Sequence, residues 1–321
     1  MTTSERVDLA TYLGELRAVV NDALTRVFAA SAAPPLIIDA MNYALLGGGK
    51  RLRPCLTLSS AEAIAARDGQ SVHAVRSAAL PNACAIEMVH TYSLVHDDLP
   101  AMDDDTLRRG RPTTHVIFGE GIAVLAGDGL LTEAFGIVVA ERTGIASGNT
   151  STIPAAARLR SSQILAAAAG AAGMVGGQTI DLAAGGRVPA DRVQRLDGPA
   201  LEDMHARKTG ALIRAAVVLG GVAAGADAPT LDVLDQFARE LGLTFQIVDD
   251  LLDIEGSAAE LGKTAGKDAA THKVTYPVLY GVDRSRQLAA QCIARAKSIL
   301  DDASLSGRLS EIADWSLTRS H

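Results

Sequence analysis

Aromatic residues are scarce, at 3% of a 321-residue chain. Strands draw on aromatic and β-branched side chains, so their scarcity beside abundant Ala and Leu argues for helices. Cysteine is scarcer still. Cys55, Cys84 and Cys292 are far apart, odd in number and without metal-ligand spacing. That excludes a disulfide framework or a cysteine zinc site and suits a reducing compartment. Positive charge is also short: 30 Lys and Arg stand against 37 Asp and Glu, a formal net charge of -7. A nucleic-acid binder would show the opposite balance, whereas a small anionic substrate needs only a local basic cluster. Long apolar runs are missing too. The N-terminal stretch MTTSERVDLATYLGEL mixes charges early, so no signal peptide is expected. The run from Ala215 to Ala226 is too short to span a bilayer and reads as a buried helix. A cytoplasmic protein with no transmembrane segment and no nucleic-acid partner is the expectation.

Helical periodicity fills most of the chain, and no strand alternation stands out. Pro34-Pro35 reads as the end of a first helix and Gly47-Gly48-Gly49 as a loop after a second. Longer helices are predicted over about 78–98 and 121–141, with others near 159–174, 201–222, 230–254 and 285–300. The Gly-, Ser- and Thr-rich stretch Thr143–Pro154 reads as a loop. No composition shift divides the chain and no fixed-period repeat appears, so a single all-α domain over residues 1–321 is expected.

Two aspartate clusters carry the chemistry. The first is His96-Asp97-Asp98-Leu99-Pro100-Ala101-Met102-Asp103-Asp104-Asp105, followed by Arg108-Arg109-Gly110; the second is Gln246-Ile247-Val248-Asp249-Asp250-Leu251-Leu252-Asp253. Asp249 and Asp253 are four apart and share a helix face. Carboxylates so close repel each other unless a cation lies between them, and oxygen ligands completed by phosphate and water are how magnesium is usually held. A lone DDxxD is more often a solvated helix end. Two, each closing a strongly apolar helical run, make a metal site. In the first cluster a regular helix would place Asp104 on the Asp97 face, but Pro100 must kink or end that helix. Spacing alone leaves Asp103 and Asp104 both open.

Fixed cations should answer the acids. Gly47-Gly48-Gly49-Lys50-Arg51-Leu52-Arg53-Pro54 offers a flexible loop and three positive charges. Arg108 and Arg109 follow the first cluster directly, and Lys208-Thr209-Gly210 lies in a helical region. Lys263, Lys267 and Lys273 follow the second cluster in a Gly-rich stretch suited to closing over phosphates. His90 sits seven residues before Asp97, on its face of the helix; alone, such a histidine is more often a satisfied core residue.

With these residues in place, the chain resembles the trans-isoprenyl diphosphate synthases, most closely their bacterial farnesyl diphosphate branch. The likeness runs from about Gly47 to Tyr276 through GGGKRLRP, HDDLPAMDDDTLRRGRPTTH, GGQTIDL, KTGALI, FQIVDDLLD and LGKTAGKD, in family order. The resemblance implies an all-α bundle around a deep central cavity, usually a homodimer, with three magnesium ions bridging an allylic diphosphate to both acidic motifs. It implies Asp97, Asp98 and Asp103 as metal ligands in the first motif and Asp249, Asp250 and Asp253 in the second. Lys50, Arg53, His90 and Arg109 match the family's isopentenyl diphosphate pocket. Arg108, Lys208 and Lys263 match groups that hold the allylic diphosphate, and Thr209 and Gln246 match positions facing the developing carbocation. The proton lost at the end is expected to leave with diphosphate, so no protein base is assigned.

The growing hydrocarbon should extend beneath the first motif; Ser93, four residues before Asp97, lies more nearly on its face, but Tyr92, five before, is large enough to intrude from the side and block it. In the family, an aromatic residue there usually accompanies a fifteen-carbon product; geranylgeranyl diphosphate is the alternative. A class I terpene cyclase would not need Lys50, Arg53, His90 and Arg109. A non-catalytic partner subunit would have lost part of an acidic motif, and both are intact.

Overall fold

The computed structural model describes residues 7–141, 145, 153–255 and 274–319. Lys263, Lys267 and Lys273 and most of the Thr143–Pro154 loop lie outside them.

The first long helix, α1 (Leu9–Arg26), opens at Asp8, whose carboxylate accepts the Thr11 N–H at 2.9 Å. It ends well before Pro34. Pro35 instead sits in the first turn of α2 (Pro35–Leu45), where its missing N–H costs nothing. The expectation that the Pro pair ends a helix is therefore corrected. After the glycine loop come α3 (Leu52–Asp68) and α4 (Val72–Asp97). The latter begins earlier than expected because Ser71 caps it, and it runs on through Pro81 to the first acidic motif.

Past Pro100 the chain forms a hairpin that alternation could not predict, with two-residue strands β1 (Leu107–Arg108) and β2 (Arg111–Pro112). Arg109 and Gly110 between them have φ of 53° and 71°, the positive pair that a two-residue turn requires. Next are α5 (Thr114–Phe118), α6 (Glu120–Val139), α7 (Ala155–Ala169) and α8 (Met174–Ala184). The helix predicted near 159–174 stops at Gly170, and α8 begins after Gly173.

The helix predicted near 201–222 is in three pieces: α9 (Gly198–His205), a π-helical turn (Ala206–Gly210) and α10 (Ala211–Ala223). Such widened turns are frequent at functional sites. The chain continues through α11 (Ala228–Glu255), α12 (Tyr276–Tyr280), α13 (Val282–Asp302) and α14 (Arg308–Thr318).

Helices α3, α4 and α10 form the centre. α10 is buried at almost every position and packs against α3, α4, α7 and α11. Gly220 permits its approach to α3, since a Cβ there would lie 2.1 Å from the Thr57 carbonyl oxygen. The apolar run Ala215–Ala226 is thus the buried segment expected. Among the described residues, α6 alone is long and apolar enough to cross a membrane; a third of its most apolar window is buried, and Val124, Leu125 and Val139 are exposed on it.

Candidate active site

The GGGKRLRP segment sends its three cations in different directions. Arg51 adopts the left-handed conformation, φ 51°, at the threshold of α3. Its side chain turns into the core, where it meets Glu87 of α4 at 2.6 Å and the Leu45 carbonyl at 2.6 Å. Both partners of this ion pair are almost inaccessible to water. Removing one would strand the other's charge, which is strongly destabilising. Arg53, one helical step further, lines a cavity of about 300 Å³. Lys50 faces a different wall, with its ammonium 5.6 Å from the centre of the Trp315 ring.

That cavity lies between α4, α8 and the π turn. It brings together His90, Tyr92, Ser93, His96 and Asp97 from α4, Arg53 from α3, and Lys208 and Thr209 from the π turn. Met102, Met174, Val175, Leu182 and Leu212 supply its apolar wall. Burial drives the His90 imidazole well below its ordinary range, helped by the charges of Arg53, Arg109, Arg108 and Arg51. The neutral imidazole is therefore favoured, which leaves His90 a hydrogen-bonding group on the cavity wall. Burial raises Asp97 to about 6; the cation of Lys208 opposes this and the charge of Asp103 adds to it.

Of Asp103 and Asp104, it is Asp103 whose charge, with that of Asp98, bears on Asp97. The Asp103 N–H returns to the Asp97 carbonyl at 2.8 Å, whereas Asp104 takes a left-handed turn, φ 52°, and bonds Leu99. The neighbouring face of α4 carries a smaller cavity of about 50 Å³, lined by Glu87, Asp98, Arg108 and Arg109. Arg109 lines this smaller cavity while Arg53 and His90 line the larger one, and the charge of Arg109 reaches both of them. Arg109 donates to the Gly48 carbonyl, and Gly49 lacks the Cβ that would strike its guanidinium.

The second acidic motif lies at the end of α11. Asp249 pairs with Arg319, a residue beyond α14 that motif reading missed, and Arg319 stacks 3.8 Å from the centre of the Phe245 ring. Burial raises the Asp249 carboxyl against the pull of Arg319 and Arg53. Arg53 therefore serves both places: it lines the cavity beside Asp97, and its charge reaches Asp249. Asp250 accepts the Tyr276 N–H at 2.9 Å. Asp253 is half-buried at the last turns of the helix.

Asp181, within GGQTIDL, was also missed. It pairs with Lys208. Gly177, one turn earlier on α8, lets that helix press on the π turn, because a Cβ there would lie 2.2 Å from the Lys208 backbone nitrogen. The signal was available in the four-residue spacing of Gly177 and Asp181, which puts both on one face.

Among the described residues no three acidic, histidine or cysteine side chains converge tightly enough to cage a metal by themselves. The donor set still fits magnesium. Asp97, Asp103, Asp249 and Asp253 offer hard carboxylate oxygens, and burial has raised Asp97 and Asp249. Magnesium is commonly held by one or two carboxylates together with substrate phosphates and water, not by an all-protein cage.

Residues 34–304 match the family described as polyprenyl synthetase. The chain is 42% identical to a farnesyl diphosphate synthase of Geobacillus stearothermophilus, over 97% of each protein. It is 41% identical to a dimethylallyltranstransferase of Fischerella ambigua, covering 99% of this chain and 86% of that protein. It is also 43% identical to geranylgeranyl pyrophosphate synthase 7 of Arabidopsis thaliana, covering 90% and 77%. A crystal structure of an FPP/GFPP synthase from Zymomonas mobilis, without ligand, superposes with a TM-score of 0.79 at 33% identity, covering 96% of this chain and 98% of that one.

Proposed function

The chain belongs to the polyprenyl synthetase family and is a trans-prenyltransferase, and from that premise we propose that it joins isopentenyl diphosphate to dimethylallyl and geranyl diphosphate to make trans-farnesyl diphosphate. One observation carries the reading: a single cavity has Asp97, Lys208 and Arg53 on its wall together with apolar side chains and Tyr92. Charged groups there suit a diphosphate, and the apolar wall suits its hydrocarbon.

Lys208 and Arg108 hold the allylic diphosphate, with Lys263 as a further ligand outside the described residues. Arg53, neutral His90, Lys50 and Arg109 hold isopentenyl diphosphate. Asp97, Asp98, Asp103, Asp249, Asp250 and Asp253 are the candidate magnesium ligands; bound magnesium neutralises charge growing on the departing diphosphate. Lys208, fixed by Asp181, adds a preorganised cation at the same place. Thr209, on the cavity wall, and Gln246, held by His205, are the groups assigned to the allylic cation, and Met174, Val175 and Leu212 on that wall keep water from it. The double bond of isopentenyl diphosphate attacks the cation, forming the new carbon–carbon bond. A proton then leaves with the released diphosphate.

Tyr92 is 6% exposed and forms part of the cavity wall, packed edge-on against His96 at 5.6 Å. It is the group proposed to stop growth at fifteen carbons. We also propose a homodimer, joined through the exposed apolar side chains of α5 and α6, among them Val116, Ile117 and Leu125, and a cytosolic location, with which three free, buried cysteines agree.

Product analysis with magnesium, isopentenyl diphosphate and each allylic starter tests the reading. A fifteen-carbon linear diphosphate is the expected result. A twenty-carbon product would overturn the role of Tyr92 alone, and a cyclic hydrocarbon from the allylic substrate alone would overturn the reaction.

A further inference from the structure

His205 ends α9, immediately before the π turn that carries Lys208 and Thr209. It is 5% exposed, and it belongs to none of the charged groups assigned to substrate. Its ring lies against one face of α11, where Gln246 and Asp250 are four residues apart and so stand one turn above each other. The Gln246 amide nitrogen donates to His205 Nδ1 at 2.8 Å. The other ring nitrogen, Nε2, is buried and has no hydrogen-bond partner among the described residues; the Asp250 carboxylate faces it, with Oδ2 at 3.7 Å. Tyr276 covers the ring in a stacked arrangement, centroids 5.8 Å apart and planes 21° apart. The Tyr276 N–H also donates to the same Asp250 oxygen, at 2.9 Å.

This arrangement orders itself from one end to the other. An amide NH₂ group has no lone pair to offer, so Nδ1 must be the acceptor and the ring proton must sit on Nε2. The carboxylate of Asp250 favours that tautomer, because it draws the N–H toward itself. With its nitrogen engaged by His205, Gln246 has its carbonyl oxygen left for the other side of the amide. An oxygen carrying partial negative charge is the end of a glutamine that stabilises a carbocation; the NH₂ end would repel it. Were the amide free to flip, half of its orientations would oppose the reaction. The ring itself is immobilised by Tyr276, so the selection does not depend on a loose side chain.

We propose that His205 is a positioning residue for the reaction: it holds the Gln246 amide with its oxygen presented to the allylic cation, and takes its own tautomer from Asp250. The proposal rests on the assignment of Gln246 to the cation. It touches no substrate directly, so its effect belongs to the chemical step and not to diphosphate binding.

The test is steady-state kinetics on the full chain with magnesium, isopentenyl diphosphate and geranyl diphosphate, for Gln246→Ala, His205→Leu, His205→Asn and the double variant His205→Leu/Gln246→Ala. His205→Leu fills the space but removes the acceptor, and should lower kcat about 10- to 100-fold, the scale for losing a supporting contact behind a reacting group. KM for both diphosphates should stay within about twofold, since binding groups are untouched. His205→Asn places an amide oxygen near the Nδ1 position and should recover most of the lost kcat. The double variant should be no slower than Gln246→Ala alone, because the two residues act through one contact.

Wild-type kcat in His205→Leu, multiplied losses in the double variant, or His205→Asn no faster than His205→Leu would each overturn the proposal. Should His205→Leu fail to fold, His205→Gln replaces it: its amide reaches the Nε2 position and leaves Gln246 without an acceptor, so the same loss is required. An unimpaired Gln246→Ala would overturn the assignment of Gln246 itself. An impaired Gln246→Ala beside an unimpaired His205→Leu would overturn the positioning role alone.

Discussion

Arg108 grips both carboxylate oxygens of Asp98: its Nε lies 2.8 and 2.9 Å from them, and its Nη2 lies 2.6 Å from Oδ1. The contact is bidentate and Asp98 is almost fully buried, so it is geometrically specific as well as strong. The adjacent carboxylate, Asp97, instead lines the large cavity. Two neighbouring aspartates of one motif therefore have different surroundings, and their substitutions should differ in kind.

Asp97→Asn should lower kcat by roughly 10²–10³-fold, the scale of losing one preorganised electrostatic contact in a reaction site. Asp249→Ala should behave similarly. Asp98→Asn alters a candidate metal ligand and also frees Arg108 from its fixed position, so it should lower kcat and raise KM for the allylic diphosphate together. Kinetics at saturating magnesium separate the cases, and near-normal kcat for Asp97→Asn would remove it from the metal site.

Asp97 also makes a stability prediction. Burial raises its pKa in the folded protein to about 6, above the ordinary 3.8. The folded state then binds the proton more tightly than the unfolded state does, so ionising this group works against folding. Its penalty is complete above pH 6 and vanishes as pH falls toward 4. In metal-free protein, Asp97→Asn should be more stable than wild type by on the order of 2–3 kcal/mol at pH 7.5. That advantage should disappear near pH 4 in urea unfolding experiments. Equal stability at pH 7.5 would contradict the burial of the charge.

Tyr92→Ala removes an aromatic ring from the cavity wall and should lengthen the product beyond fifteen carbons. The readout is chromatography of the dephosphorylated alcohols. An unchanged chain-length distribution would show that another side chain sets the limit.

Gly177→Ala places a methyl group 2.2 Å from the Lys208 backbone nitrogen and 2.6 Å from its Cα. Backbone cannot swing aside as a side chain does, so α8 or the π turn must move. A loss of about 1–3 kcal/mol is expected from overpacking. kcat should fall with it, because Lys208 and Thr209 ride on that turn. Thermal unfolding and turnover measured on the same preparation check both effects.

Much of the site was legible as spacing along single helices. Asp249 and Asp253 could be placed on one face because an α-helix repeats every 3.6 residues; Tyr92, five residues before Asp97, lies off that face and was singled out by its bulk and by the family resemblance. The end of α4 near Pro100 followed from a missing N–H. Other features resisted reading. The hairpin at 107–112 depends on left-handed Arg109, a conformation arginine seldom takes. The role of GGQTIDL lay hidden because Gly177 and Asp181 find their partner, Lys208, 27 residues after Asp181.

Composition and motif order alone were enough to specify an all-α chain with two acidic motifs and a basic loop, because those properties depend on residue type and local spacing. The three cations of GGGKRLRP look equivalent as text. Only the packed structure decided that Arg51 turns inward to Glu87, that Arg53 lines the cavity and that Lys50 stands against Trp315. It likewise decided that Asp98 belongs to Arg108 and that His205 sits between Gln246 and Asp250. The physical reason is the same in each case: which helices face one another is set by burying the whole apolar core at once, and no stretch of sequence contains that information locally.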